Sequence, residues 1–336
     1  MGRVTVQYIA DQLGISKFAV SRALTGSSGV SEETRAAVVA EATRLGYVPR
    51  TRRKTSARIE IIYHDPDVAH RELWVEVQAG AQMEGARLGV ETVVRWTDDA
   101  TALSQLAGQV HGFILIGPHD DSMLAAMGGF GVPCVRIGGA LPPLEPIDHV
   151  GGTDEEGAVA VATHLLGLGH RKFVYVHGQL GYPRRVNRLE HFREAVLAEE
   201  GTELREISFP ADNAPGDFRA ALGRMEATGF RPTAYFCGND WVAVTVLTEL
   251  LRLGVRVPED ASVVGFADYA IAAQTSPALT TVRVPFRQFG IAAIRLLLSR
   301  LGHFGEVNDL PPQRISLVGD LIVRQSSGPA ADPGPA

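Results

Sequence analysis

Over the first fifty residues, apolar positions recur three and four apart. Val6, Ile9, Ala10 and Leu13 share one helical face, with Thr5 placed to cap its start and Gly14 to end it. Ser16 can cap a second helix in which Val20, Ala23 and Leu24 turn inward. Ser31 opens a third: Glu32 and Glu33 suit the positive end of its dipole, and Val38, Ala42 and Leu45 form its inner face before Gly46. The pattern predicts a compact three-helix head over residues 1–48. "VPRTRRKTSAR" at 48–58 then holds one Pro, five basic residues and no acid, and residues 49–58 read as a linker.

Beyond Ile59 the periodicity changes. Short apolar runs at 59–63, 91–96, 112–117, 133–138, 172–178, 233–238 and 262–266 predict strands, and amphipathic stretches near 73–88, 154–168, 184–199, 240–253 and 286–302 predict helices. The runs lack strict alternation, which suits parallel strands covered on both faces. The predicted fold class is an all-α head followed by an α/β core of one or two doubly wound parallel sheets. The closing "SSGPAADPGPA", with residues 325–336 as a whole, predicts a disordered tail.

Composition agrees with a globular chain: 336 residues, 45% apolar and 21% charged. Cys134 and Cys237 lie in apolar runs and predict buried thiols, not a disulfide framework. Neither a secretion signal nor an apolar run near 18 residues is visible, so the expected compartment is the cytoplasm, away from any membrane. Charge adds more. The overall formal charge is -6, yet residues 1–58 carry ten Lys or Arg against four acids, leaving the head and linker at +6 and the remainder at -12. Opposite signs imply different partners, one of them polyanionic.

If the second helix lies in the major groove of DNA, Lys17, Phe18, Ser21 and Arg22 form its open edge. Arg22 can pair bidentately with guanine, Lys17 can reach guanine or phosphate, and Phe18 can meet a thymine methyl. Thr5, Ser16 and Ser31 begin helices, where hydroxyl and backbone N–H groups suit phosphate oxygens. The competing reading is a solvated helix pair in a small bundle. Position, charge and the basic linker favour DNA.

The stretch "VTVQYIADQLGISKFAVSRALTGSSGVSEETRAAVVAEATRLGYVP" resembles the DNA-binding head of the lactose-repressor (LacI/GalR) family. The likeness continues through "EEGAVAVATHLLGLGHRKFVYVHG", "NRLEHFREAV", "FCGNDWVAV", "GVRVPEDASVVGFAD" and "PALTTVRVPF". It implies a homodimeric transcription regulator, most often a repressor, with two heads on an inverted-repeat operator in double-stranded DNA. It also implies a periplasmic-binding-protein-like core over 59–324 that closes on a small, sugar-like effector. Its first subdomain would comprise about 59–153 and 286–310, its second about 154–285 and 311–324.

Two departures stand out. The family's hinge helix carries a Leu that wedges into the minor groove, but here Arg50, Thr51, Arg52, Arg53 and Lys54 follow Pro49 and no Leu precedes Ile59. A tether contacting phosphates without separating bases is expected, because an apolar wedge is what offsets unstacking. In the pocket, the resemblance assigns Asp65, Trp74, Arg188, Asn239, Asp240 and Asp268 to the effector. Ala267 and Val284 stand where many sugar-responsive members have Asp and Gln, which moves the expectation toward an anionic or less hydroxylated ligand. Each assignment has a plainer alternative: helix-face packing for Trp74, an ion pair for Arg188, a helix cap for Asn239 with Asp240.

An enzyme is the reading from another class. The chain has no G-x-S-x-G elbow, no phosphate-binding G-x-x-x-x-G-K and no G-x-G-x-x-G after a strand. His64, Asp65 and His70 have no further partner to make a persuasive metal site, and no cofactor is expected. A solute-binding protein with the same core would not carry a basic helical head.

Overall fold

A computed structural model describes residues 5–24, 29–45, 47, 57–64, 72–97, 99–139, 143–178, 180, 183–209 and 214–331. The chain divides into two units, Met1–Ser56 and Ala57–Ala336.

In the first unit α1 (Val6–Leu13), α2 (Lys17–Leu24) and α3 (Glu32–Arg44) pack around Ile9, Ala10, Val20, Ala23, Val38 and Ala42. Local chemistry sets each boundary. The Thr5 hydroxyl accepts from Tyr8 N at 3.1 Å, Ser16 from Ala19 N at 3.1 Å and Ser31 from Thr34 N at 3.2 Å. Gly14 ends α1 with φ +64, where a Cβ is disfavoured. The Arg35 guanidinium donates to the Ala23 carbonyl at 3.3 Å, tying α3 to the end of α2.

The second unit contains two lobes. The first has a six-stranded, all-parallel sheet in the order β11-β5-β4-β3-β1-β2. Its strands are β1 (Arg58–Tyr63), β2 (Glu91–Trp96), β3 (Gly112–Ile116), β4 (Cys134–Ile137), β5 (Asp148–Gly152) and β11 (Arg314–Leu317). On one face lie α4 (Glu72–Arg87) and α11 (Phe286–Arg300), over Ile61, Ile114, Val135 and Val150. On the other lie α5 (Ala100–Ala107) and α6 (Asp121–Met127), over Ile62, Phe113 and Leu115. α4 and α11 touch backbone to backbone: a Cβ on Gly80 would stand 1.9 Å from the Arg287 carbonyl oxygen, and one on Gly290 2.0 Å from that of Val77. Only glycine permits that approach.

The second lobe has the parallel order β7-β6-β8-β9, from β6 (Lys172–Gly178), β7 (Glu203–Ser208), β8 (Ala234–Cys237) and β9 (Ser262–Val264). Helices α7 (Asp154–Gly167) and α8 (Pro183–Leu197) cover Phe173, Tyr175 and Phe236 on one face. Helices α9 (Pro215–Glu226) and α10 (Asp240–Arg252) cover Val174, Tyr235 and Val263 on the other. Strands β10 (Thr281–Arg283) and β12 (Asp320–Ile322) pair antiparallel. The chain passes between lobes three times: after β5, after β10 and after β11.

Three expectations need correction. The second subdomain was expected to take 311–324 whole, but β11 pairs with β5 and completes the first sheet, so the last crossing falls at 318–319. Helices α5, α6 and α9 and strands β5, β7, β10, β11 and β12 are absent from the expected elements; α5 and α6 span only 8 and 7 residues and the strands 3 to 6, too short for a periodicity to show. The tail, expected to be disordered, is docked as far as it is described: Ser326 is fully buried, and Ala330 N donates to the Leu168 carbonyl at 2.8 Å. Ser326 satisfies backbone groups of β9 and of Thr280, and the Ala330 N–H satisfies the Leu168 carbonyl at the end of α7. Cys134 and Cys237 are free, half-buried and buried respectively.

Candidate functional site

The head presents Lys17, Phe18 and Ser21 to solvent, with Phe18 68% exposed. Exposing a ring that large costs burial free energy, and the three-helix core is complete without it. Arg22, one turn on, is partly exposed and lies 5.0 Å from the Phe18 ring centroid. Its other flank is against Gly29, where a Cβ would come within 2.9 Å of Nη1. The guanidinium is thus held between the Phe18 ring and Gly29, which limits the entropy given up on meeting a base. Thr5, Ser16 and Ser31 are exposed beside the N–H groups they cap. Arg50, Arg52, Arg53 and Lys54 lie outside the described residues.

In the core, the carboxyl ends of the parallel strands gather polar side chains, as open α/β sheets do. Trp74, in the first turn of α4, is half-buried: its carbonyl accepts from the Tyr63 hydroxyl at 3.2 Å, and a Cβ on Gly138 would stand 2.6 Å from its ring. Beside Gly138 lie two side chains of adjacent strands, Arg136 and His149, paired in register and both buried. His149 Nε2 is 3.3 Å from the Gly138 carbonyl oxygen. His119, after β3, is buried with Nδ1 3.2 Å from the Gly117 carbonyl oxygen, and His64 meets it edge-on at 6.2 Å. Burial lowers His119 to about 4, with Arg136 and His64 adding to the effect. Burial likewise lowers His149 to about 4, helped by Arg184 and Arg136. Both imidazoles are neutral at pH 7.

The second lobe supplies Arg188 from α8. Its Nε donates to Asp154 at 3.2 Å, its Nη1 donates to the Gly238 carbonyl, and its guanidinium carbon lies 3.8 Å from the Phe266 ring centroid. Arg184, one turn earlier, donates to the other Asp154 oxygen at 3.0 Å and reaches across to the first lobe. A Cβ on Gly151 would stand 2.8 Å from its Nη2 and 2.9 Å from the His149 ring.

The remaining expected contacts separate. Asn239 caps α10, its Oδ1 accepting from Val242 N at 2.9 Å. Asp240 does not face the cleft. It is fully buried, accepts from Thr281 Oγ1 at 2.6 Å and Tyr269 N at 2.7 Å, and lies where a Cβ on Gly265 would meet it at 2.2 Å. Its carboxylate pins α10 to β10 and to the turn after β9, correcting its expected contact with a ligand. Asp268 is paired with Arg283 at 2.8 Å and Arg324 at 2.7 Å. It borders a recess of about 480 Å³ between Glu72, Glu76, Tyr269 and Phe286, whose lining includes neither Trp74 nor Arg188. Asp65 lies outside the described residues. Arg136, His119, His149 and Arg184 were missed by the motif reading. Arg136, a charge inside an apolar strand run, and Arg184, four residues before Arg188, carry a signal in sequence; His119 and His149 lie outside any apolar run and carry none.

Family profiles match both units. That of bacterial regulatory proteins of the lacI family covers residues 5–50, and that of a periplasmic binding protein-like domain covers 162–327. The HTH-type transcriptional regulator reg1 of Streptomyces lividans is 30% identical over 345 residues, 96% of each chain. The chain belongs to the lacI family of bacterial regulatory proteins. CelR of Thermobifida fusca, another HTH-type transcriptional regulator, is 29% identical over 96% of this chain and 98% of its own. A solved CelR–cellobiose complex superimposes with a TM-score of 0.68 at 30% identity, over 96% of this chain and 100% of that one. A lac repressor dimer bound to operator and the anti-inducer ONPF shares the fold, with a TM-score of 0.68 at 24% identity over 97% and 100%. This lacI-family chain is therefore a DNA-binding transcriptional regulator. Its head has the helix-turn-helix form, and its core is an α/β body of the periplasmic-binding-protein type. Among the described residues, no helix is long and apolar enough to cross a membrane, and no group of three or more His, Cys, Asp or Glu is placed to hold a metal ion.

Proposed function

We propose that two copies of this chain act together as a repressor on an inverted-repeat operator, each laying α2 along base edges. A small, sugar-like effector between the core lobes would set their affinity for DNA. The observation that carries the reading is the exposed edge of α2: Phe18 and Arg22 are stacked, braced and turned away from a core already filled by Val20 and Ala23. In the core, Trp74 supplies an apolar ring face, and Arg188, already oriented by Asp154 and Phe266, supplies a directed donor. The relative solved with cellobiose supports a carbohydrate-sized ligand.

Because the lobes are joined by three short crossings, a ligand touching both favours one lobe arrangement, and that preference is the free energy available to change operator affinity. A coupling of about 1–3 kcal/mol corresponds to a change in operator affinity of roughly 5- to 150-fold. The protein works in the cytoplasm, where its DNA is, and has no catalytic role. The test is a selection of bound sequences from random duplex, repeated with a panel of sugars and sugar derivatives. The expected result is enrichment of an inverted repeat, with occupancy altered by at least one ligand. Failure to enrich any inverted repeat, with and without ligands, would refute the proposal.

A further inference from the structure

Three strand ends of the first lobe meet in one place. Tyr63 pairs with Ile116 and Ile116 with Ile137, and just beyond them Gly117 N donates to the Ile137 carbonyl at 3.1 Å. His64 therefore leaves β1 beside the Gly117 turn that follows β3, and the Gly138 turn after β4 comes next. Trp74 packs on that third turn, where a Cβ on Gly138 would stand 2.6 Å from its ring. His119 folds back onto the Gly117 carbonyl. Two imidazoles and an indole thus share the carboxyl end of the sheet, the end at which open α/β sheets hold their ligands.

The imidazoles are incompletely bonded. His119 is 7% exposed, and its Nδ1 lies 3.2 Å from the Gly117 carbonyl oxygen. That oxygen can only accept, so Nδ1 carries the hydrogen. Burial lowers His119 to about 4 and keeps the ring neutral at pH 7, which leaves Nε2 as a lone pair that needs a donor. Nε2 is shut off from solvent and has no hydrogen-bond partner among the described residues. The same is true of His64 Nδ1, on a ring that meets His119 edge-on with centroids 6.2 Å apart. Buried polar atoms without partners cost free energy, and a ligand that bonds to them relieves the cost. The charged groups make no such demand: Arg184 and Arg188 share Asp154, and Arg136 makes an interaction of its own.

We propose that His119 determines which effector is accepted: a neutral sugar with one hydroxyl donating to His119 Nε2, a neighbouring hydroxyl meeting His64 Nδ1, and its ring against Trp74. The proposal rests on the regulator reading above and deepens it to a ligand class. A hydroxyl both donates and accepts, so it suits His64 in either tautomer. A carboxylate or an ether oxygen would set lone pair against lone pair at His119 Nε2. The anionic ligand suggested by Ala267 and Val284 is thereby disfavoured. A sugar lacking the hydroxyl leaves Nε2 buried and unpaired, and a site of that kind discriminates more strongly than an apolar pocket does.

The experiment is calorimetric titration of the full chain at neutral pH with glucose, galactose, mannose, xylose and cellobiose, then with the monodeoxy and monodeoxyfluoro forms of whichever binds most tightly. Loss of one particular hydroxyl is expected to weaken binding about 10- to 100-fold, and fluorine at the same carbon, which cannot donate, should lose as much. His119→Asn keeps an N–H for Gly117 and removes the atom at Nε2. It should weaken the parent sugar about 10- to 100-fold, yet bind the sensitive deoxy form within about threefold of the parent. His119→Gln, able to place an amide oxygen near the position of Nε2, should recover part of the loss. Thermal melting checks that each variant folds, and the deoxy and fluoro series needs no variant. A merely structural role for His119 would weaken parent and deoxy forms by the same factor. That result, a fluoro form that binds like the parent, tolerance of every deoxy form, or no neutral sugar bound at millimolar concentration would each overturn the proposal. Absence of any operator preference would remove the regulator reading without touching the calorimetric result.

Discussion

Replacing Ser326 by alanine removes one oxygen from a residue that reads as part of a disordered tail. In the folded chain that oxygen donates to the Val263 carbonyl at 2.6 Å and accepts from Thr280 N at 2.8 Å. Both partners are fully buried, so no water replaces the missing bonds. A buried polar group left unsatisfied costs about 1–3 kcal/mol, and two such groups place the loss at roughly 2–6 kcal/mol. Gln325→Ala is the control: its side chain accepts from Ala278 N at 2.9 Å in an exposed setting, and its loss should cost under about 1 kcal/mol. Urea unfolding followed by circular dichroism measures both, and the Ser326 midpoint should fall with the slope unchanged. A Ser326→Ala variant within about 0.5 kcal/mol of the parent would mean that the tail does not dock and that the burial argument is wrong. The consequence reaches function, because the same segment holds His164 at 2.9 Å and His170 at 3.1 Å and so joins α7 to β9 in the second lobe.

Arg22→Ala should cut the preference for operator over scrambled duplex by about 1–3 kcal/mol, with little change on random DNA, as read by fluorescence anisotropy; an equal drop on both would mean that Arg22 touches phosphate and not bases. Neutralising Arg50, Arg52, Arg53 and Lys54 should flatten the dependence of operator affinity on salt, by up to about one unit of slope for each phosphate the linker no longer neutralises. An unchanged slope would show that the linker stays off the DNA. Asp240 gives a pH signature: burial raises its carboxyl from 3.8 to about 6, although Thr281 and Tyr269 donate to it. The folded chain then keeps a proton that the unfolded chain has released, so this group's stabilisation is complete below 3.8 and is lost as pH rises through about 6. The stability of the parent relative to Asp240→Asn should therefore fall between those pH values and stay level above them in urea melts; a difference that rises over that range would contradict the burial assigned to Asp240.

Features that depend on neighbours a few residues away can be read from the order of amino acids. Thr5, Gly14, Ser16 and Ser31 close hydrogen bonds or turns within four positions, and Ile9, Val20 and Val38 fall on the faces their spacing assigns. The head and the apolar strands of both sheets are therefore legible in the sequence alone. Strand β7 was not, because it lies at a sheet edge with Ile207 as its one buried residue and shows no apolar run. Folding had to supply the rest, since each remaining feature joins residues far apart in the chain. β11 belongs to the first lobe because β5, some 165 positions earlier, offers it a parallel edge. Asp240 turned from an expected ligand contact into a buried anchor because Thr281 and Tyr269 donate to it. Arg184 and His149 became neighbours because two lobes meet at Gly151. Polar side chains take their roles from the partners that folding brings to them, and pattern along a chain records only the partners that lie close by.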